Sequence, residues 1–137
     1  MSMPFVYPHI SIIALLAGAL VQFVIGFVWY AGMTPIGRRW AAEVGAPTDG
    51  QPGAEMLVFP FSSILAAWAV GMVYGWSSAS GPMDGVLVGW VVATAVGAQV
   101  LSTAIATNQR STALLAINIG YLVVSYGVMG AVFGLLS

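Results

Sequence analysis

Cysteine is absent from this chain, histidine occurs once, and 137 residues carry only three basic and four acidic side chains. Each scarcity excludes something. Without cysteine there are no disulfides, no thiolate metal sites and no thiol nucleophile. With 5% charged residues against about 25% in an ordinary soluble domain, the chain cannot cover a water-facing surface. Its solvent must be lipid. A net charge of -1 leaves no basic patch to neutralise phosphates, which excludes nucleic acid as a partner. His9 stands alone near the start of the first apolar run. A metal or haem site would want a second histidine or a cysteine, so no metal and no cofactor is expected.

Catalytic sets are missing for the same reason. The serines lack a histidine base. Ser80-Gly81-Pro82 has none of the spacing of a phosphate-cradling loop. No charged residue lies deep in an apolar run, whereas proton- and cation-coupled transporters place ionisable groups there. Glu43 and Glu55 fall in a solvated connection, where a charge defaults to solvation. No enzyme activity is expected, an enzyme acting on lipid being the remaining alternative.

What remains is 60% hydrophobic and rich in glycine, 17 residues in all. A membrane-crossing helix needs about 20 apolar residues. Four such runs occur, at about 10–32, 56–78, 84–106 and 112–136. No basic residue precedes the first, so it reads as a retained span rather than a cleaved signal. The expected fold is all-α: a polytopic membrane protein whose residues 1–137 form a single domain of four transmembrane helices.

A short amphipathic helix is expected at about 35–45, after the first span. Thr34-Pro35 pairs a hydroxyl N-cap with proline in the first turn. Ile36, Trp40 and Val44 then recur on one face that can lie on a membrane surface. Trp29, Tyr30 and Trp40 suit the aromatic belt at the boundary. Arg38, Arg39 and Arg110 are all the basic residues, and all fall in the first and third connections. The positive-inside rule puts those connections, 33–55 and 107–111, in the cytoplasm and both termini outside. A bacterial inner membrane is the expected location. Arg38 and Arg39 serve topology and headgroup contact, or alternatively dock an anionic group beside Trp40.

Two side-chain classes mark the spans. Gly18, Gly26, Gly71, Gly75, Gly85, Gly89, Gly120, Gly127 and Gly134 offer close-packing faces. Gly71 to Gly75 is a GxxxG, and Gly120, Gly127 and Gly134 recur every seven residues. At least one such face is expected to remain for a second protomer, so a homo-oligomer or a larger membrane complex is anticipated. Gln22, Gln99, Thr103, Asn118, Tyr121 and Ser125 are neutral polar groups that lipid cannot satisfy. They form the candidate buried polar face. Either they bond helix to helix, or they converge on a cavity for a neutral or weakly polar solute. The first points to a structural or accessory membrane protein, the second to a small channel or facilitator.

Gly26, Trp29 and Tyr30 at the exit of the first span, Gly37 and Trp40 soon after, and Asn118, Gly120, Tyr121, Met129 and Gly130 in the last form a pattern over nearly the whole chain. It resembles the four-span membrane family known as domain of unknown function 1761. The chain departs from that pattern at Ile36-Gly37-Arg38-Arg39, where the family shows phenylalanine-glycine-lysine, and at Leu136-Ser137, where it ends in tryptophan. The resemblance implies the four-span fold and carries no reaction, so it transfers no catalytic residue.

Overall fold

The computed structural model describes residues 7–31, 33–45, 58–108 and 111–137, and among these the regular structure is five helices and no strand. They are α1 (Ile12–Tyr30), α2 (Pro35–Val44), α3 (Val58–Trp76), α4 (Gly81–Ala106) and α5 (Thr112–Leu136). Four of them, α1, α3, α4 and α5, are long and apolar enough to cross a membrane. At 1.5 Å per residue they run from about 28 to about 39 Å, against a hydrocarbon core about 30 Å thick. The protein is an integral membrane protein built as an all-α bundle.

Local chemistry starts each helix. Ser11 Oγ accepts the Ala14 N–H at the head of α1, and Ser111 Oγ accepts the Leu114 N–H at the head of α5. Thr34 does two jobs. Its hydroxyl accepts the Gly37 N–H at 3.0 Å and donates to the Ala31 carbonyl at 2.9 Å. It thereby splices the end of α1 to the start of α2. A Cβ on Gly37 would collide with the Ala31 carbonyl, so only glycine lets α2 fold back this closely. α2 ends at Gly45, in the left-handed region at φ 73°, which glycine adopts at no steric cost.

The turn between α3 and α4 lies earlier than the sequence suggests. The apolar runs leave 79–83 as the connection, with the next span starting at Asp84. Instead α3 ends at Trp76, the link is 77–80, and Gly81 and Pro82 open α4. Proline lacks an N–H that the first turn could not have used anyway. Asp84 reaches back to accept the Ser80 N–H at 3.0 Å.

Packing does not follow sequence order, for α1 lies between α3 and α5 and α4 packs chiefly on α5. α1 runs antiparallel to α3, since Gly18 faces Ala67 while Gly71 faces Ile10. Ahead of α1, Pro8 fills the space over Gly75, and Tyr7 accepts a hydrogen bond from Trp68 Nε1. α1 is also antiparallel to α5, with Gly18 against Met129 and Phe133. The core is small: Ala14, Ala67, Val70, Met129 and Phe133 are almost wholly enclosed.

The closest seam is α4 on α5. A Cβ on Gly85 would meet the Gly130 carbonyl, one on Gly130 the Gly85 carbonyl, and one on Gly89 the Tyr126 carbonyl. Backbone lies on backbone, as small residues permit in lipid. Gly134 likewise faces the Gly81 carbonyl. Gly120, Gly127 and Gly134 do not act as one stripe. Gly120 lies under the Trp29 ring and Gly127 under Trp90, at different heights on α5. Both indoles then donate to α5 carbonyls, Trp29 Nε1 to Ile117 at 3.0 Å and Trp90 Nε1 to Val123 at 3.1 Å. Every glycine face expected to await a second protomer is thus occupied from within the chain.

Candidate functional site

Polar and aromatic side chains gather where α1, α2 and α5 meet. Residues at i, i+4 and i+8 of a helix share a face, which sets Gln22, Gly26 and Tyr30 along α1. Asn118, Tyr121 and Ser125 on α5 oppose them. Gly26 makes room for Tyr121, whose hydroxyl would lie 3.0 Å from a Cβ there. Tyr30 donates its hydroxyl to Asn118 Oδ1 at 2.8 Å. Tyr121 hydroxyl points at the Gln22 carbonyl at 3.5 Å, a long contact. Around Tyr30 the rings meet edge to face, Trp40 at 5.2 Å and Tyr121 at 5.3 Å between centroids. Trp29 is tilted against Tyr121 at 6.5 Å.

Of the six residues expected to form a buried polar face, four converge here. Gln22 and Ser125 are buried, and Asn118 and Tyr121 are half-buried. Gln99 and Thr103 do not join them; both are exposed on α4. The physical reason is the pitch of the α4 contact. Its buried and half-buried positions recur every fourth residue, at Gly85, Gly89, Ala93 and Gly97 and at Val88, Val92, Val96, Val100 and Ala104. A row at this spacing is inclined to the helix axis. By the second half of α4 it has turned away from the side that carries Gln99 and Thr103.

The boundary residues also differ from a simple surface foot. Trp40 is half-buried against Tyr30 rather than lying free, while Ile36 and Val44 stay exposed. Arg38 donates to the Met33 carbonyl at 3.2 Å. Arg39 pairs with Glu43 at 2.9 Å. Arg110 and Glu55 lie outside the described residues. His9 is exposed.

Sequence reasoning missed one tie. Glu43 Oε2 accepts a 2.6 Å hydrogen bond from Ser111 Oγ, the same hydroxyl that caps α5. The acidic residue on α2 therefore anchors that helix to the head of α5. A glutamate on a short amphipathic helix and a serine 68 positions later carry no joint signal in the sequence.

Beside the aromatic cluster a crevice of about 120 Å³ opens between α1 and α3, lined by Phe23, Phe27 and Phe59 with Tyr30, Ser63 and Tyr121. Its walls are mainly apolar. The arrangement can clamp helices together and admit a small apolar group. Among the described residues no three His, Asp or Glu side chains come together to hold a metal ion.

A family model described as "Protein of unknown function (DUF1761)" matches residues 13–134. That span takes in α3 and α4 whole, all but the outer ends of α1 and α5, and every residue that carries the resemblance, so the chain belongs to the DUF1761 family. No curated protein and no solved structure matches it.

Proposed function

We propose that this member of the DUF1761 family is a non-enzymatic structural or accessory protein of the membrane, packing with copies of itself or within a larger membrane complex. One observation carries the proposal. At the α1–α5 seam polar groups are spent on one another, Tyr30 on Asn118 and Trp29 on the Ile117 carbonyl. A facilitator for a neutral solute needs such groups to face a wet path. Gln22, the most central of them, is only 4% exposed, and the neighbouring crevice is small and mainly apolar.

Topology is part of the same proposal. The side bearing α2, Arg38 and Arg39 is cytoplasmic, both termini face outward, and the bilayer is a bacterial inner membrane. A cysteine-free chain makes both points testable by single substitutions. Gln22→Cys and Asn118→Cys should resist a water-soluble maleimide in native vesicles, while Ser137→Cys should react from outside intact cells. Brisk labelling at positions 22 and 118 would favour a solute path instead. Co-purification at fixed stoichiometry, with itself or with another membrane protein, tests the accessory role directly.

A further inference from the structure

α4 has three distinct sides. One is the glycine row against α5. A second is bulky and apolar, with Leu87, Trp90, Val91, Leu101 and Ile105 exposed as lipid would demand. The third carries Ala95, Gln99, Ser102, Thr103 and Ala106, all exposed and none of them large and apolar.

The polar members of that third side are unsatisfied. Thr94 and Thr107 hydroxyls bond back to their own helix, at the Trp90 and Thr103 carbonyls. No side-chain hydrogen bond forms from Gln99, Ser102 or Thr103 among the described residues. Gln99 lies seven residues before Ala106, the last residue of α4. That is about 10 Å along the axis, inside a core about 30 Å thick spanned by a helix about 39 Å long. Its Cβ is tilted toward the helix N-terminus, hence toward the bilayer centre and away from the nearer surface. A free amide in hydrocarbon is costly. Lipid tails offer it nothing.

We propose that this side of α4 is where a second copy of the chain docks, with the two Gln99 amides hydrogen-bonded to each other. This rests on the self-packing role above and gives it a surface. An amide is donor and acceptor at once, so the same side chain from a two-fold-related copy satisfies it. Isologous pairing of that kind is the usual form of a homodimer. The strip carries no charge to repel its mate, and Ala95 and Ala106 let the two α4 backbones come close.

The test uses the full chain in native membrane vesicles. Ser102→Cys keeps Gln99 in place, and Leu87→Cys on the bulky side is the comparison. Disulfides form only when Cα atoms come within about 7 Å. Mild oxidation should give a covalent dimer with Ser102→Cys and none with Leu87→Cys. Adding Gln99→Leu should weaken dimerisation about 3- to 30-fold, the range of interhelical polar bonds in lipid. Cross-linking at position 87 but not 102 would overturn this surface and leave self-association standing. A single-subunit mass in lipid nanodiscs, with no cross-link at either site, would overturn both this surface and self-packing. Rapid reaction of Gln99→Cys with a water-soluble maleimide would also overturn the surface, because the side chain would then face water rather than a partner.

Discussion

Tyr30 and Asn118 are joined by a 2.8 Å hydrogen bond across 88 positions of sequence, from the last residue of α1 to the second turn of α5. The bond sits inside a ring of aromatic contacts from Trp40 and Tyr121. It therefore ties α1 to α5 at the level where α2 departs, and it makes the carboxamide of Asn118 tolerable in an apolar seam.

Tyr30→Phe keeps the ring and removes the donor. It should cost about 1 kcal/mol, since polar contacts between membrane helices average roughly 0.6 and seldom exceed 1.7. Asn118→Leu alone should cost a similar amount. Made together, the two should cost less than their sum, because each removes the same bond. Unfolding in mixed micelles across the four variants measures the coupling. Strict additivity would mean that the pair contributes nothing.

Gly130 and Gly85 should be among the least substitutable positions in the bundle. An alanine at either drives a methyl into a carbonyl of the facing backbone, which cannot rotate aside as a side chain can. Overpacking costs about 1–3 kcal/mol, and the upper end is expected here. Gly97→Ala is the control: its Cβ would have Ile119 at 3.6 Å, ordinary contact. It should be neutral or slightly stabilising, since alanine is favoured over glycine in a helix by about 1 kcal/mol. Thermal stability of the three variants in one detergent ranks them.

The contrast between these glycines shows what the sequence could and could not convey. Four apolar runs, the Thr34-Pro35 start and the amphipathic α2 are local signals of length, capping and period, and all recur in the fold. Which residues face which is not local. Gly130 is noticeable only as part of a family pattern, because a glycine row acquires meaning when the row opposite it is known. Gln22 and Asn118 could be placed on helix faces by a 100° turn, but what they meet across the seam, the Tyr121 hydroxyl at the Gln22 carbonyl and the Tyr30 hydroxyl at Asn118, could not. The same 100° rule misplaced Gln99 and Thr103, since it follows a straight line along α4 while the real contact winds around it. The Gly71–Gly75 pair also looked like a helix-dimer motif, yet it receives Phe133, Ile10 and Pro8.

The tie between α2 and the bundle should depend on Ser111 far more than on Arg39. Arg39 is 63% exposed, and its pair with Glu43 is a surface i, i+4 contact, worth a few tenths of a kcal/mol. Ser111 serves both as the N-cap of α5 and as the donor to Glu43. Ser111→Ala loses a cap, about 1 kcal/mol, and frees α2 as well. Amide hydrogen exchange over 35–44 should accelerate clearly in Ser111→Ala and in Glu43→Ala, and barely in Arg39→Ala. Equal protection in all three would show that α2 is held by Trp40 on Tyr30 and not by Glu43.

Ser125 has the opposite character, a polar group the fold would do as well without. It is wholly enclosed, and its Oγ has no hydrogen-bond partner among the described residues. The Tyr121 hydroxyl, one turn earlier on the same face, reaches toward the Gln22 carbonyl at 3.5 Å. A buried unpaired hydroxyl costs about 1–3 kcal/mol in a water-soluble protein. Part of that cost vanishes in a membrane, where the unfolded chain has no water either. Ser125→Ala should therefore be neutral or stabilising by up to about 1 kcal/mol. Ser125→Thr adds a methyl where no space remains and should destabilise by about 1–3 kcal/mol. Unfolding in mixed micelles decides the point. A clear loss of stability in Ser125→Ala would show that the hydroxyl is satisfied by a bound water, and would place that water in the seam between Gln22, Tyr121 and Tyr126.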